Sequence, residues 1–135
     1  MPKVIMIDDE FFICKIVQDI LEVDGYETLM GATEADARRF LAENEDVVAM
    51  ICDLTLGAEN GLTIQLRLEA ELWERRIVFI LLHGHPIEVI AGPEYLREHR
   101  ILQVQKPTPY IGIFAELIER GRADYAALAE RSRTG

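Results

Sequence analysis

The residues able to do chemistry in this chain are few, and most of them stand where short apolar runs end. Asp8 and Asp9 follow the run 4–7, Asp53 follows 47–52, His83 follows 77–82, and Lys106 lies just past 101–104. If these runs are strands of one parallel sheet, all five residues fall on one edge. Ligands of such sheets bind at that edge, at the switch point of strand order. Three carboxylates in one crevice repel, and one protonates unless a cation sits among them. A hard divalent cation suits an all-oxygen set. Mg²⁺ suits it best, because it needs few carboxylates and keeps waters and a phosphate oxygen. A carboxylate beside Mg²⁺ and a lysine can attack phosphorus and form an aspartyl-phosphate. The metal and the lysine would then neutralise charge on the phosphoryl oxygens. Plainer readings stand beside this one. Asp8 and Asp9 could cap the following helix, Asp53 could be a turn residue, and Asn60-Gly61 could be a simple turn. His83, His85 and His99 lack a cysteine pair and give little signal for zinc. Cys52 reads as a small buried strand residue and Trp73 as packing.

The elements that must position these residues are legible in the apolar pattern. Runs at 4–7, 26–30, 47–52, 77–82 and 101–104 read as five strands, three of them buried on both faces. Between the first two, Ile13, Ile16, Val17, Ile20 and Leu21 form one stripe of an amphipathic helix, which Gly25 is placed to stop. Thr33 can cap a second helix that presents Ala37, Phe40 and Leu41. Residues 62–72 are ambiguous: apolar and polar residues alternate as in a strand, whereas length and composition favour a helix. As a helix the segment carries two stripes, Ile64-Leu68-Leu72 and Leu62-Leu66-Ala70. One faces the sheet and the other is left for solvent or a partner, a second copy included. Gly92-Pro93 breaks or restarts a fourth helix. The last helix, 110–131, turns Ile111, Phe114, Leu117 and Ile118 inward, with Gly121 weakening its second half. Strands alternating with helices imply right-handed crossovers, hence a doubly wound α/β fold with five parallel strands and five helices.

Composition narrows the function further. At 135 residues the expectation is one domain, 1–135, with no residues left for an output domain. A net charge of −10 disfavours phosphate backbones and anionic membranes, so neither nucleic acid nor membrane is an expected partner. The longest apolar run, 77–82, is far too short to span a bilayer, and the first residues do not read as a signal peptide. Two cysteines, Cys14 and Cys52, suit a reducing cytoplasm better than a disulfide scaffold.

Taken together these features resemble the receiver domain of response regulators, the phosphoacceptor half of two-component systems. The resemblance rests on Val4-Ile5-Met6-Ile7-Asp8-Asp9-Glu10, on Ile51-Cys52-Asp53-Leu54, on Gly61, and on Lys106-Pro107, in order and spacing over almost the whole chain. It implies a flavodoxin-like sheet of order 2-1-3-4-5. It implies that Asp53 accepts a phosphoryl group from a histidine kinase or histidine phosphotransfer protein. Asp8, Asp9, Asp53 and the main-chain carbonyl of Thr55 would hold Mg²⁺, and Lys106 would pair with the phosphoryl group. A downstream protein target would receive the signal. The chain departs from the family in four places. Leu56-Gly57 replaces a Met-Pro pair, which predicts a looser loop. His83 stands where Ser or Thr binds the phosphoryl group, Gln103 stands at the switch aromatic, and Gly92-Pro93 interrupts helix four. Two alternatives follow. One is a pseudo-receiver that only binds proteins. The other is a Mg²⁺-dependent aspartyl-phosphate phosphatase, disfavoured because Thr55 stands where a second acid is needed.

Overall fold

The structure is a computed structural model describing residues 1–84, 91–106 and 110–134. Strands β1 (Lys3–Ile7), β2 (Glu27–Gly31), β3 (Val47–Asp53), β6 (Val78–His83) and β7 (Ile101–Gln105) form one parallel sheet in the order β2-β1-β3-β6-β7. Numbered within the sheet alone this is 2-1-3-4-5, as expected. A two-residue hairpin of β4 (Thr55–Leu56) and β5 (Glu59–Asn60) lies beyond the end of β3. Among the described residues there are five helices: α1 (Phe11–Val23), α2 (Glu34–Glu43), α3 (Gly61–Glu74), α4 (Pro93–Glu98) and α5 (Ile113–Thr134).

Two apolar layers sandwich the sheet. On one side Cys14, Val17 and Leu21 of α1 and Phe114 and Ile118 of α5 meet Val4, Met6, Ile51 and Ile80. On the other, Ala37, Leu41, Ile64, Leu68, Leu72 and Leu96 of α2, α3 and α4 cover Ile5, Met50, Phe79 and Leu81. Every residue of β6 is buried, which is why that run carries no polar alternation. No helix among the described residues is long and apolar enough to cross a membrane.

Several local expectations hold. Thr33 Oγ1 accepts from the Asp36 N–H at 3.2 Å and caps α2. Helix α1 ends with the Tyr26 N–H on the Leu21 carbonyl and the Gly25 N–H on that of Glu22, the paired bonds of a Schellman stop. Pro93 is the first residue of α4, directly behind Gly92. Residues 61–74 are helical: Ile64, Leu68 and Leu72 are buried, while Leu66 stays 53% exposed.

Other expectations need correction. The buried stripe of α1 is Cys14-Val17-Leu21, with Ile13, Ile16 and Ile20 only half-buried beside it. Ile111 is not inward. It is 85% exposed, because Gly112 (φ +77°) turns the chain and α5 begins only at Ile113. Gly121 does not weaken α5, which runs through it. A Cβ there would lie 2.7 Å from both Val78 methyls, so glycine is what lets the helix sit on β6. The loop after Asp53 is not loose either. Gly57 (φ +62°) occupies the first turn position of the β4–β5 hairpin, where a type II′ turn calls for glycine.

Candidate functional site: an acidic crevice with one lysine

The switch point of strand order lies between β1 and β3. Asp8 follows β1, and Asp53 is the last residue of β3. The Asp8 N–H donates to the Gly31 carbonyl, and the Leu54 N–H to that of Leu82, so both carboxylates leave from anchored backbone. Gly61, the first residue of α3, donates its N–H to the Leu54 carbonyl at 2.9 Å. A Cβ on Gly61 would lie 2.4 Å from the Asp53 carbonyl oxygen. Asn60 completes this corner: its Oδ1 accepts from the Leu62 and Thr63 N–H groups and caps α3. Asn60-Gly61 is therefore a helix start fitted against the backbone of Asp53 rather than a plain turn.

Asp8, Asp9 and Asp53 each offer one carboxylate oxygen, and these atoms lie within 4.8 Å of one another. Asp8 and Asp53 are buried while Asp9 is exposed, so the crevice opens to solvent on the Asp9 side. Lys106 Nζ stands 3.3 Å from Asp53 Oδ2 and 3.5 Å from Asp8 Oδ2. Asp8 Oδ1 accepts the Glu10 N–H at 2.9 Å, whereas Asp8 Oδ2 is buried with no hydrogen-bond donor. Thr55 follows Leu54, two residues past Asp53, in β4, and is exposed.

Electrostatics follow from this crowding. Burial, and then the Asp53 charge against the help of the Glu10 N–H, push Asp8 up from 3.8 to about 6. Burial also raises Asp53, although Lys106 and the Thr55 N–H oppose it. Burial works to lower the Lys106 ammonium, but Asp8 and Asp53 outweigh it and hold that group above its ordinary value. Cys14, whose Sγ donates to the Asp8 carbonyl, is pushed up to about 11 by burial and then by Asp8. Cys52 is raised further, by burial and then by Asp53. Both thiols stay protonated and inert at neutral pH, the plain reading of Cys52.

One lysine does not balance three carboxylates. The donor set is all oxygen, Asp8 Oδ2 is buried with no hydrogen bond and only the Lys106 ammonium at 3.5 Å, and Asp8 is destabilised as an anion. These observations fit a hard divalent cation such as Mg²⁺.

His83 is the last residue of β6 and is 1% exposed. Its Nε2 lies 2.7 Å from Gln103 Oε1, and its Nδ1 is buried without a hydrogen-bond partner. Its carbonyl accepts the Lys106 N–H at 2.6 Å. Two of the four positions at which the sequence departs from the receiver pattern are thus bonded to each other. The sequence reading singled out each residue but not the pair. The histidines do not form a metal cluster among the described residues. His99 Nδ1 lies 2.5 Å from Glu69 Oε2, where α4 meets α3. His85 and Pro107 fall outside the described residues. Sequence reasoning also passed over Phe11 and Phe12, which open α1 directly after the acidic pair and are 72% and 74% exposed. Two adjacent aromatics at the start of an otherwise amphipathic helix were the available signal.

No family model matches the chain. It is 27% identical over 127 residues to the transcriptional regulatory protein AruR of Pseudomonas aeruginosa, a match covering 90% of this chain and 51% of that protein. The chain thus spans about half the length of this curated relative. Among solved structures, a response regulator receiver domain protein from Clostridium thermocellum superposes with a TM-score of 0.79 at 22% identity, covering 95% of this chain and 99% of that one. The response regulator TrrA of Thermotoga maritima, solved in complex with Mg²⁺-BeF, superposes with a TM-score of 0.72 at 17% identity, covering 90% and 99%. With its sheet order, the five helices of its described residues and these likenesses, the chain has the receiver fold of response regulators.

Proposed function

We propose that this chain is a phosphoacceptor receiver domain, taking a phosphoryl group on Asp53 in the presence of Mg²⁺. The observation that carries the reading is the Asp53 carboxylate 3.3 Å from the Lys106 ammonium, in a crevice it shares with Asp8 and Asp9. Asp8, Asp9, Asp53 and the Thr55 main-chain carbonyl would hold the cation. When bound, it supplies positive charge against which the carboxylates and the phosphoryl oxygens can approach. One Asp53 oxygen forms the new bond to phosphorus as the bond to the donor's leaving group breaks, and the donor keeps that electron pair. Lys106 neutralises a phosphoryl oxygen. His83 stands where the family has a hydroxyl and is the further candidate donor to that group.

The donor would be a sensor histidine kinase or a histidine phosphotransfer protein. The exposed Phe11 and Phe12 beside the crevice give such a partner an apolar foothold. The phosphorylated chain would act on a downstream protein in the cytoplasm, as a signalling module rather than a turnover enzyme. The net charge of −10 disfavours direct action on nucleic acid. One observation favours a second reading. The His83–Gln103 bond occupies both switch positions, as a protein-binding module that is never phosphorylated could also afford. Incubation with acetyl phosphate, with and without Mg²⁺, separates the two by intact mass. The phosphoacceptor reading expects one added phosphoryl group, dependent on Mg²⁺ and absent from Asp53→Asn. Equal incorporation in wild type and variant, or none in either, would reject it.

A further inference from the structure

We propose that Glu59 is a positioning residue for the acceptor site: its side chain ties the β4–β5 hairpin to the first N–H of α2, and this tie holds the Thr55 main chain against Asp53. The inference rests on the phosphoacceptor reading and adds to it a residue outside the crevice that sets the affinity for the cation.

The hairpin reaches the site through its first residue. The Thr55 N–H donates to the Asp53 carboxylate. Thr55 also carries the main-chain carbonyl assigned above to the cation. Mg²⁺ tolerates little distortion, since it demands near-octahedral geometry with ligands at about 2.0–2.1 Å. A displaced Thr55 main chain is therefore felt at the metal.

The base of the hairpin is anchored where the Gly61 N–H donates to the Leu54 carbonyl, but its arms are short. They make two pairs, Thr55 with Asn60 and Leu56 with Glu59. A two-stranded ribbon is marginal by itself. Among residues 55–60 only Leu56 is buried. Next to the hairpin lies a cavity of about 140 Å³, bordered by Glu34, Glu59, Thr63 and Arg67, so close packing does not support it there.

Glu59 supplies the missing hold. Its Oε1 accepts the Glu34 N–H at 3.2 Å, across 25 residues of sequence. Glu34 is itself held on two sides. Its Oε1 takes Arg67 Nη1 of α3 at 2.9 Å, and its Oε2 takes Arg38 Nε of α2 at 2.9 Å. The hairpin is thus tied to a residue clamped by both helices. As a cap, α2 does not need this bond. Thr33 Oγ1 already accepts the Asp36 N–H, and Asp36 Oδ2 accepts that of Ala32, a local reciprocal pair. A glutamate serving only the helix dipole would act by charge. Glu59 instead stands directly across from Leu56 in the ribbon, so releasing it frees the strand that carries Thr55. The tie depends on reach: glutamine keeps an accepting Oε1 at the same length, whereas aspartate keeps the charge but falls one methylene short.

The test measures Mg²⁺ dissociation constants by calorimetric titration of the full, unphosphorylated chain, with melting curves in chelator alongside. Glu59→Gln should bind within about twofold of wild type, because its amide oxygen still accepts. Glu59→Asp and Glu59→Ala should bind about five- to tenfold more weakly, the span set by one lost hydrogen bond. The Thr55 amide proton resonance should shift in those two variants and not in Glu59→Gln. Arg75→Met, which removes the donors to the Leu41 and Asn44 carbonyls, controls for lost stability. It should melt lower and bind Mg²⁺ as wild type does. Wild-type affinity in Glu59→Ala overturns the proposal and leaves the phosphoacceptor reading intact. So does weak binding in Glu59→Gln with normal binding in Glu59→Asp, which makes charge the cause. Binding weakened as much in Arg75→Met as in Glu59→Ala overturns it too, because affinity then follows stability alone. No Mg²⁺ binding by the wild type rejects the phosphoacceptor reading and the proposal with it.

Discussion

Replacing Asp8 with asparagine should make the metal-free protein more stable at neutral pH. Asp8 is 2% exposed, and burial first, then the Asp53 charge, lift it from 3.8 to about 6. The folded state therefore holds a proton more tightly than the unfolded chain does. The stability this group contributes is fully present below about pH 4 and is lost as pH rises through about 6. The difference between the two values corresponds to about 3 kcal/mol at pH 7. That figure already contains the Lys106 attraction; asparagine removes the cost and keeps an oxygen for the Glu10 N–H, but it sets a buried NH₂ donor against the Lys106 ammonium, a loss of about 1 kcal/mol. The net expectation is a gain of about 1–2 kcal/mol for Asp8→Asn in chelator at pH 7, or roughly 3–8 °C in melting temperature. The gain should shrink toward zero by about pH 4. Saturating Mg²⁺ should reverse the order, because the cation stabilises the wild type by mass action and the variant less. Melting curves from pH 4 to 8, with chelator and with Mg²⁺, check all three statements. An Asp8→Asn protein less stable than wild type in chelator at pH 7, or a difference that does not vary with pH, would refute the reasoning.

The remaining predictions are simpler. Asp9→Ala should leave metal-free melting close to wild type, since Asp9 is exposed, yet abolish the gain from millimolar Mg²⁺ seen in the same calorimeter. Gly61→Ala places a Cβ 2.4 Å from the Asp53 carbonyl oxygen and should cost about 1–3 kcal/mol in urea unfolding, as overpacking does. Phe11→Ser with Phe12→Ser should slow phosphoryl transfer from a protein donor about tenfold, near 1.4 kcal/mol, while acetyl phosphate labels the double variant at the wild-type rate.

The fold and the acidic site were legible because their signals are local. A run of buried residues ending in an acid marks both a central strand and the edge it ends on, as in Met6-Ile7-Asp8 and Ile51-Cys52-Asp53. What was not legible depends on contacts distant in sequence. Both stripes of α3 are apolar, so periodicity alone reads as a strand until the sheet chooses Ile64-Leu68-Leu72. Gly121 reads as a helix breaker until Val78 is seen against it. The burial of Asp8 and exposure of Asp9 follow from which way each points from the end of β1, and identical residues carry no sign of that. His83 and Gln103 are bonded only because β6 and β7 are adjacent. Their types, each unusual for its position, were visible, but their partnership was not.

The most direct test of the phosphoacceptor role is to trap the product chemically. Protein treated with acetyl phosphate and Mg²⁺ is reduced with borohydride, which converts an aspartyl-phosphate to homoserine, and is then mapped by peptide sequencing. The expected result is homoserine at position 53 alone, only when Mg²⁺ was present, and none in Lys106-containing Asp53→Asn. Homoserine at Asp8 or Asp9 instead, or no conversion at position 53 under full Mg²⁺ saturation, would contradict it.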